Sequence, residues 1–289
     1  MASEFKIVRF VYDGEEDLGY LINGHIIPFK EVGGLPKYLS YPFADDDDIL
    51  RIFSVGDLSG YKALRIEDVQ IVNPIRFPGK IVCVGLNYMD HVKEGGREPP
   101  KDIVFFMKPR TALAGPFDTI YVPRIVKKLD YEGELAVVIG KRGRNIPVEE
   151  AYEYILGYMV MNDVSARDFQ FSDGQWTRGK GFDGFAPIGP WIVPREFIPD
   201  PHSLSIKTWL DGELRQDGNT SDMIFKIPEI IEKASEVMTL EPGDIISTGT
   251  PAGVGIFDKT GEKLIQDGSV VRIEIERIGF IENRFRFVD

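Results

Sequence analysis

Short apolar runs cut by proline and glycine constrain this chain most. From about residue 80 onward the runs IVCVG, IVFFM, TIYVP, LAVVIG, GYMVM, PWIVP, SIKTWL, DIISTG and VVRIEIERIGFIENRFRFV follow one another, separated by Pro/Gly turns. Runs this short with breakers between them read as strands. Only two segments carry helical spacing. One is VEEAYEYI; the other is IPEIIEKASEVM, with Pro228 near its first turn and Ile227, Ile230, Ile231, Ala234 and Met238 on one side. Regular βαβ alternation is absent, so the expected fold is mainly β with some α. Residues 5 to 29 add a small sheet, with Asp-Gly in YDGEE and Asn-Gly in LINGHII as hairpin signals. The stretch DVQIVNPIRFPGK suggests a boundary, giving a small amino-terminal α+β domain over residues 1–72 and a main domain over 73–289. Asp45 to Asp48 precede a short apolar helical pattern. They are read as a solvated helix entry, because consecutive carboxylates diverge and acidic groups favour a helix start.

The 289 residues, 43% of them apolar, are enough to bury a large core. Lysine and arginine number 34 against 46 aspartates and glutamates, and the net charge of −12 disfavours nucleic acid and anionic membrane surfaces as partners. No apolar stretch approaches the roughly 20 residues of a spanning helix, and the amino terminus shows no basic and apolar leader, so the expected location is cytoplasmic. The one cysteine, Cys83 in KIVCVG, reads as core and allows no internal disulfide.

Within DYEGELAVVIG, alternation along a strand would put Glu132 and Glu134 on one face, with Gly133 on the other. Two readings fit: a solvated edge strand, or a cation held between the carboxylates. Asp163, at the end of the run ILGYMVMND, is a third carboxylate in a comparable setting. Three such groups suit a hard divalent ion such as Mg2+, which takes oxygen ligands at about 2.1 Å. With no paired histidine or second cysteine, zinc is a poor match.

In NYMDHVKEGG, His91 and Glu94 share a face of a helical turn, which permits a carboxylate-oriented imidazole base as well as a chance surface pair. The flanking glycines and prolines suggest a lid. His25 and His202 read as structural or solvent-facing. Lys180, between two glycines in RGKGFDGF, is either a reaching active-site lysine or an ordinary turn residue. GKGFDG matches G-x-G-x-x-G, but Pro187 and Pro190 follow where a dinucleotide fold needs a helix, so that reading is rejected. STGTPAGVG lacks the Lys-Ser/Thr of a phosphate loop, yet its backbone N–H groups, Gly249 among them, can hold a carboxylate or oxyanion.

Together, GLNYMDHVKE, FFMKP, DYEGELAVVIG, GYMVMNDVSARDFQ, RGKGFDGFAPIGP, QDGNTSDMIF and LEPGDIISTGTPAGVG resemble the fumarylacetoacetate hydrolase superfamily in its order, over roughly residues 75 to 289. The resemblance implies a mixed β-sandwich roll, a homodimer, and Mg2+ or Mn2+ on Glu132, Glu134 and Asp163. It implies a His91/Glu94 base dyad on a closing lid, with Lys180 and Thr250 in the substrate pocket. In a mechanism built on these residues, backbone N–H groups near Thr250, helped by Gln216 and Arg167, hold the substrate or its carboxylate. The activity it points to is C–C hydrolysis of an acylpyruvate-type 2,4-dioxo acid through an enolate. Oxaloacetate decarboxylation and hydroxymuconate isomerisation stand as alternatives, with a sugar-acid hydrolase or dehydratase and a non-catalytic dicarboxylate binder behind them. Two departures bear on substrate choice. Val84 stands where longer members carry a further aspartate ligand, and Arg110 stands where many relatives have serine.

Overall fold

A computed structural model describes residues 4–32, 58 and 60–289. The tetrad Asp45–Asp48 and the helical pattern after it lie outside the described residues. The expected hairpins form at the amino terminus. Lys6–Tyr12 pairs with Glu15–Ile22, which pairs with His25–Pro28, and the turns place Asp13, Gly14, Asn23 and Gly24 at positive φ. Asp-Gly and Asn-Gly tolerate that conformation, and its twist matches the flanking strands.

The strand Lys6–Tyr12 also pairs with Ala186–Pro194 through Ile7 and Ile192. The amino-terminal strands therefore continue one large mixed sheet rather than forming a sheet of their own. Beyond Ala186–Pro194 that sheet runs through Ile155–Asn162, Gly133–Ile139, Ile245–Ser247 and Ile81–Gly85 to Val104–Lys108. Its central strands are buried along their whole length, which explains why LAVVIG and GYMVM are continuous apolar runs without alternation.

A five-stranded sheet lies across it, ordered Glu213–Asn219, Ser205–Leu210, Val270–Ile275, Gly279–Val288 and Thr119–Pro123. SIKTWL alternates strictly between half-buried and buried residues, so one face of this sheet is inside. That face joins Leu135, Val137 and Val160 of the large sheet to Ile206, Ile273, Ile281 and Phe285 in one core. The result is two packed sheets with helices at the margins, as expected for the fold class.

Of the two expected helices, Ile227–Val237 is α-helical and buries Ile227, Ile230, Ile231 and Ala234. Its entry is fixed by the Glu229 carboxylate, which accepts from Lys226 N at 2.7 Å, and by His202 Nε2, which accepts from Ile227 N at 3.1 Å. VEEAYEYI instead winds as a 3-10 helix over Val148–Tyr154, opened by a bond from Glu150 N to Pro147 O. At this length its weak propensity gives way to the tighter turn.

Strand contact is closest at Gly157, where a Cβ would lie 2.3 Å from Val193 O of the neighbouring strand. Backbone cannot retreat there without losing the ladder. Gly157→Ala is expected to lower unfolding stability by about 1–3 kcal/mol, read as a lower midpoint in chemical denaturation. An unchanged midpoint would contradict this packing.

Candidate active site

The site grows out of one antiparallel pair. Gly133 is opposite Asn162 and Glu134 is opposite Met161, so the start of one strand meets the end of the other. One residue beyond the ladder, Asp163 N donates to Glu132 O at 2.9 Å. Glu132, Glu134 and Asp163 thereby converge, each offering an oxygen within 4.8 Å of the others, and all three are buried. The solvated-edge reading of the acidic pair is excluded by that burial.

Buried like charges need compensation. Lys180 Nζ lies 2.5 Å from Glu132 Oε2 and 2.6 Å from Asp163 Oδ2. Lys108 Nζ lies 2.5 Å from Asp163 Oδ1, and Arg167 Nη2 lies 2.8 Å from Glu132 Oε1. Burial would raise the Glu132 carboxyl, but Lys180, Arg167 and His91 outweigh it and hold the group well below the usual carboxylate range. Glu134 differs. Its Oε2 accepts from Ser247 Oγ at 2.5 Å and Gly249 N at 3.0 Å, and neither partner is charged. Burial, then the negative charges of Asp163 and Glu132, push its carboxyl well above the usual range. A divalent cation among the three oxygens fits this donor set, because it would supply positive charge where Glu134 has none.

The glycines around Lys180 serve packing. A Cβ on Gly179 would lie 2.5 Å from Gln170 N, and one on Gly181 would lie 2.7 Å from Thr177 O. The first approach lets the short helix Thr177–Lys180 pack directly on Arg167–Gln170, which brings its lysine within reach of the carboxylates, and the second is a tight exit from the helix itself.

Across the cleft stands the helix Met89–Glu94. His91 Nδ1 is 2.9 Å from Glu94 Oε1, and both groups are largely buried. The carboxylate fixes the proton on Nδ1 and leaves Nε2 as the free basic atom. The helix is tied to the loop after Thr250: Ala252 N donates to Asp90 Oδ2 and Gly253 N to Glu94 Oε2. At its entry, Asn87 donates to Thr248 O and Phe225 O and accepts from Phe225 N. His91, Glu132, Glu134, Arg167, Lys180 and Thr250 line one cleft.

Not every residue named from sequence faces that cleft. Gln216 is fully buried behind the strand, and its amide is saturated. Its Oε1 accepts from Gly133 N and Thr208 Oγ1, and its Nε2 donates to Thr250 Oγ1 and Pro251 O. Gly249 gives its N–H to Glu134 rather than to the cleft. Thr250 reaches the cleft while its hydroxyl donates to Gly133 O. Val84 lines the cleft as an apolar wall, and Arg110 lies outside it, its guanidinium 5.2 Å from the Phe77 ring centre. Cys83 is fully buried, as read from its apolar run, and burial pushes its thiol up.

Sequence reading missed Lys108 and Asp130. Lys108 closes the strand Val104–Lys108, in the quoted FFMKP. A lysine ending an apolar run beside a proline was the available signal. Asp130 heads DYEGEL, is fully buried, and accepts from Arg167 Nε at 2.9 Å, Gly255 N at 2.8 Å and Ile256 N at 3.1 Å.

These electrostatics have a sign that can be measured. Glu134→Gln is expected to stabilise the metal-free protein by on the order of 1 kcal/mol, since it removes a buried like charge that lacks a cation partner. The wild type is expected to rise in melting temperature on adding Mg2+ or Mn2+, and the same variant to lose that rise. A destabilised variant, or one that keeps the full metal response, contradicts the arrangement.

Residues 80–286 match the family described as Fumarylacetoacetate (FAA) hydrolase C-terminal. The chain is 43% identical over 227 residues to a Xenopus laevis protein named oxaloacetate tautomerase fahd2, mitochondrial, covering 78% of this chain and 71% of that one. Among solved structures it resembles a 5-carboxymethyl-2-hydroxymuconate delta-isomerase from Mycobacterium smegmatis, with 36% identity, a TM-score of 0.79, and coverage of 98% of this chain and 100% of that one. It also resembles a maleylpyruvate hydrolase from Sphingobium sp. SYK-6 in complex with manganese (II) ion and pyruvate, with 30% identity, a TM-score of 0.79 and the same coverage. The likeness runs through the strands and loops that carry the carboxylates and the histidine, and the chain belongs to the fumarylacetoacetate hydrolase family.

Proposed function

We propose that this protein is a divalent-metal-dependent enzyme that forms and quenches enolates of small 2-oxo acids, with keto–enol proton transfer as its core step. The observation that carries the reading is the placement of His91 Nε2, freed by the Nδ1 contact with Glu94, in the cleft lined by Glu132 and Glu134, with Asp163 beside them. Bound at Glu132, Glu134 and Asp163, Mg2+ or Mn2+ would neutralise the buried carboxylates and draw electron density from a 2-oxo oxygen. His91 takes the proton from the carbon next to the keto group and returns it, while Glu94 stabilises the imidazolium. Lys180 uses two of its N–H donors on Glu132 and Asp163, and a third remains for a developing oxyanion. Thr250 and the apolar wall at Val84 and Phe106 orient the substrate and exclude water.

The 43% identity to a protein named as an oxaloacetate tautomerase favours proton transfer without bond cleavage. A second reading, C–C hydrolysis of a 2,4-dioxo acid, is supported by likeness to a maleylpyruvate hydrolase holding manganese and pyruvate. There His91 would take its proton from an attacking water, and the departing group would be a pyruvate enolate. Both readings take a small 2-oxo acid as the partner molecule.

The deciding assay uses protein loaded with Mg2+ or Mn2+ and follows enol absorbance of oxaloacetate alongside cleavage of acetylpyruvate. Loss of the enol without loss of carbon is the expected result. His91→Ala is expected to slow turnover by about 10^2- to 10^4-fold with little change in thermal stability. Cleavage of acetylpyruvate with no tautomerisation would reverse the order of the two readings, and an unaffected His91→Ala would remove both.

A further inference from the structure

Away from the active-site cleft, a second cavity of about 460 Å3 opens where the amino-terminal strands meet the turn between Val270–Ile275 and Gly279–Val288. Sites for small organic molecules fall in this size range. Its apolar walls are Phe5, Leu21, Ile66, Trp191, Val193 and Phe197. These residues come from parts of the chain that are tied to one another. Trp191 Nε1 donates to Ile278 O at 2.6 Å, Phe5 and Phe197 meet edge to face with centroids 5.2 Å apart, and Ile66 N donates to Gly24 O at 3.0 Å. The cavity is therefore part of the packed fold, its wall held at three points.

Two cations stand in this apolar setting. Lys6 is half-buried with its Nζ 4.2 Å from the centre of the Trp191 ring, and among the described residues it has no ion pair and no side-chain hydrogen bond. Burial draws its ammonium below the ordinary lysine value, while the charge of Glu4 opposes this. An ammonium resting on an indole face still has N–H donors for an acceptor. Arg277 also borders the cavity. It sits at φ 64° in the turn, and its Nη2 donates to Phe197 O at 2.8 Å, which fixes the guanidinium and leaves its other donors uncommitted among the described residues. Glu4, the acidic residue of the lining, is exposed and pairs with neither cation. The chain carries 46 acidic residues against 34 basic ones, so partners for these two groups are in excess, yet both remain without one. Unpaired cations in an apolar wall are costly unless an anion meets them.

We propose that this cavity is a second binding site for a planar organic carboxylate, whose carboxylate meets Lys6 and Arg277 and whose apolar body packs among Trp191, Phe5 and Phe197. The charge-assisted bonds orient the ligand, and the aromatic walls bury it. A small hydrophilic anion such as phosphate leaves those walls unused. No residue of this cavity lines the active-site cleft, so the site stands independently of the enolate-forming reading.

The test uses 2-naphthoate, titrated by calorimetry into the full-length protein, alone and with saturating Mg2+ and oxalate to fill the cleft. One-to-one binding with a Kd on the order of 0.1 mM is expected, equal under both conditions. The neutral analogue 2-naphthalenemethanol should bind roughly 10-fold more weakly. Lys6→Gln should weaken 2-naphthoate by about 10-fold and Arg277→Gln by about threefold, with affinity for the neutral alcohol unchanged. Arg277 is exposed, so its variant keeps the test open if Lys6→Gln lowers the melting temperature. Absence of binding, displacement by oxalate, equal affinity for the alcohol, or wild-type affinity in both variants overturns the assignment.

Discussion

Three buried carboxylates at the meeting of two antiparallel strands set the terms for the rest of this molecule. Pairing Gly133 with Asn162 puts Glu132, Glu134 and Asp163 in one dry space, where each ionised group carries a desolvation cost of several kcal/mol. The chain answers with Lys108 from a strand end, Lys180 from a four-residue helix and Arg167 from the start of the short helix Arg167–Gln170. These elements are far apart in sequence, and the large sheet makes them neighbours. Val104–Lys108 reaches the site because it pairs with Ile81–Gly85, which pairs in parallel with Ile245–Ser247.

A second layer holds the acidic strand from behind. Gly133 has no side chain because Thr208 Oγ1 would stand 2.5 Å from its Cβ. The space it leaves is occupied by the amide of Gln216, which ties Gly133, Thr208, Thr250 and Pro251 together. Thr208 and Gln216 belong to the five-stranded sheet, so the packing of sheet on sheet also aligns the acidic floor. A fully satisfied buried network of this kind favours one arrangement, since each partner lost leaves an unpaired polar group in a low dielectric.

Much of this was legible because it is local. The hairpin dipeptides, the uninterrupted runs of the central strands, the Ile227–Val237 helix and the face shared by His91 and Glu94 each follow from a period or a turn residue within a few positions. The acidic pair was legible as a pair, although spacing could not separate a solvated edge from a buried floor. Lys108 shows why: its partner is 55 residues away, and no period links them. Whether Lys6–Tyr12 closes its own sheet or joins a larger one depends on an edge at Ile192, which its composition does not reveal. Gln216 was expected to help hold the substrate, whereas its buried amide is taken up by Gly133, Thr208, Thr250 and Pro251.

In the loop STGTPAGVGIF the backbone N–H groups expected to hold a substrate anion meet carboxylates of the protein itself. Gly249 serves Glu134, Ala252 serves Asp90, Gly253 serves Glu94, and Gly255 and Ile256 serve Asp130. One loop therefore fixes an acidic floor residue, the partner of the base and the partner of Arg167. The backbone conformations this requires exclude larger residues: Gly249 and Gly253 lie at φ 96° and 105°, and a Cβ on Gly255 would lie 2.2 Å from Lys263 O. Because the same segment holds both the carboxylates and the histidine helix, the distance between floor and base is set by main-chain geometry rather than by flexible side chains. Such an arrangement can tolerate wide change at the rim of the cleft without disturbing the atoms that move the proton.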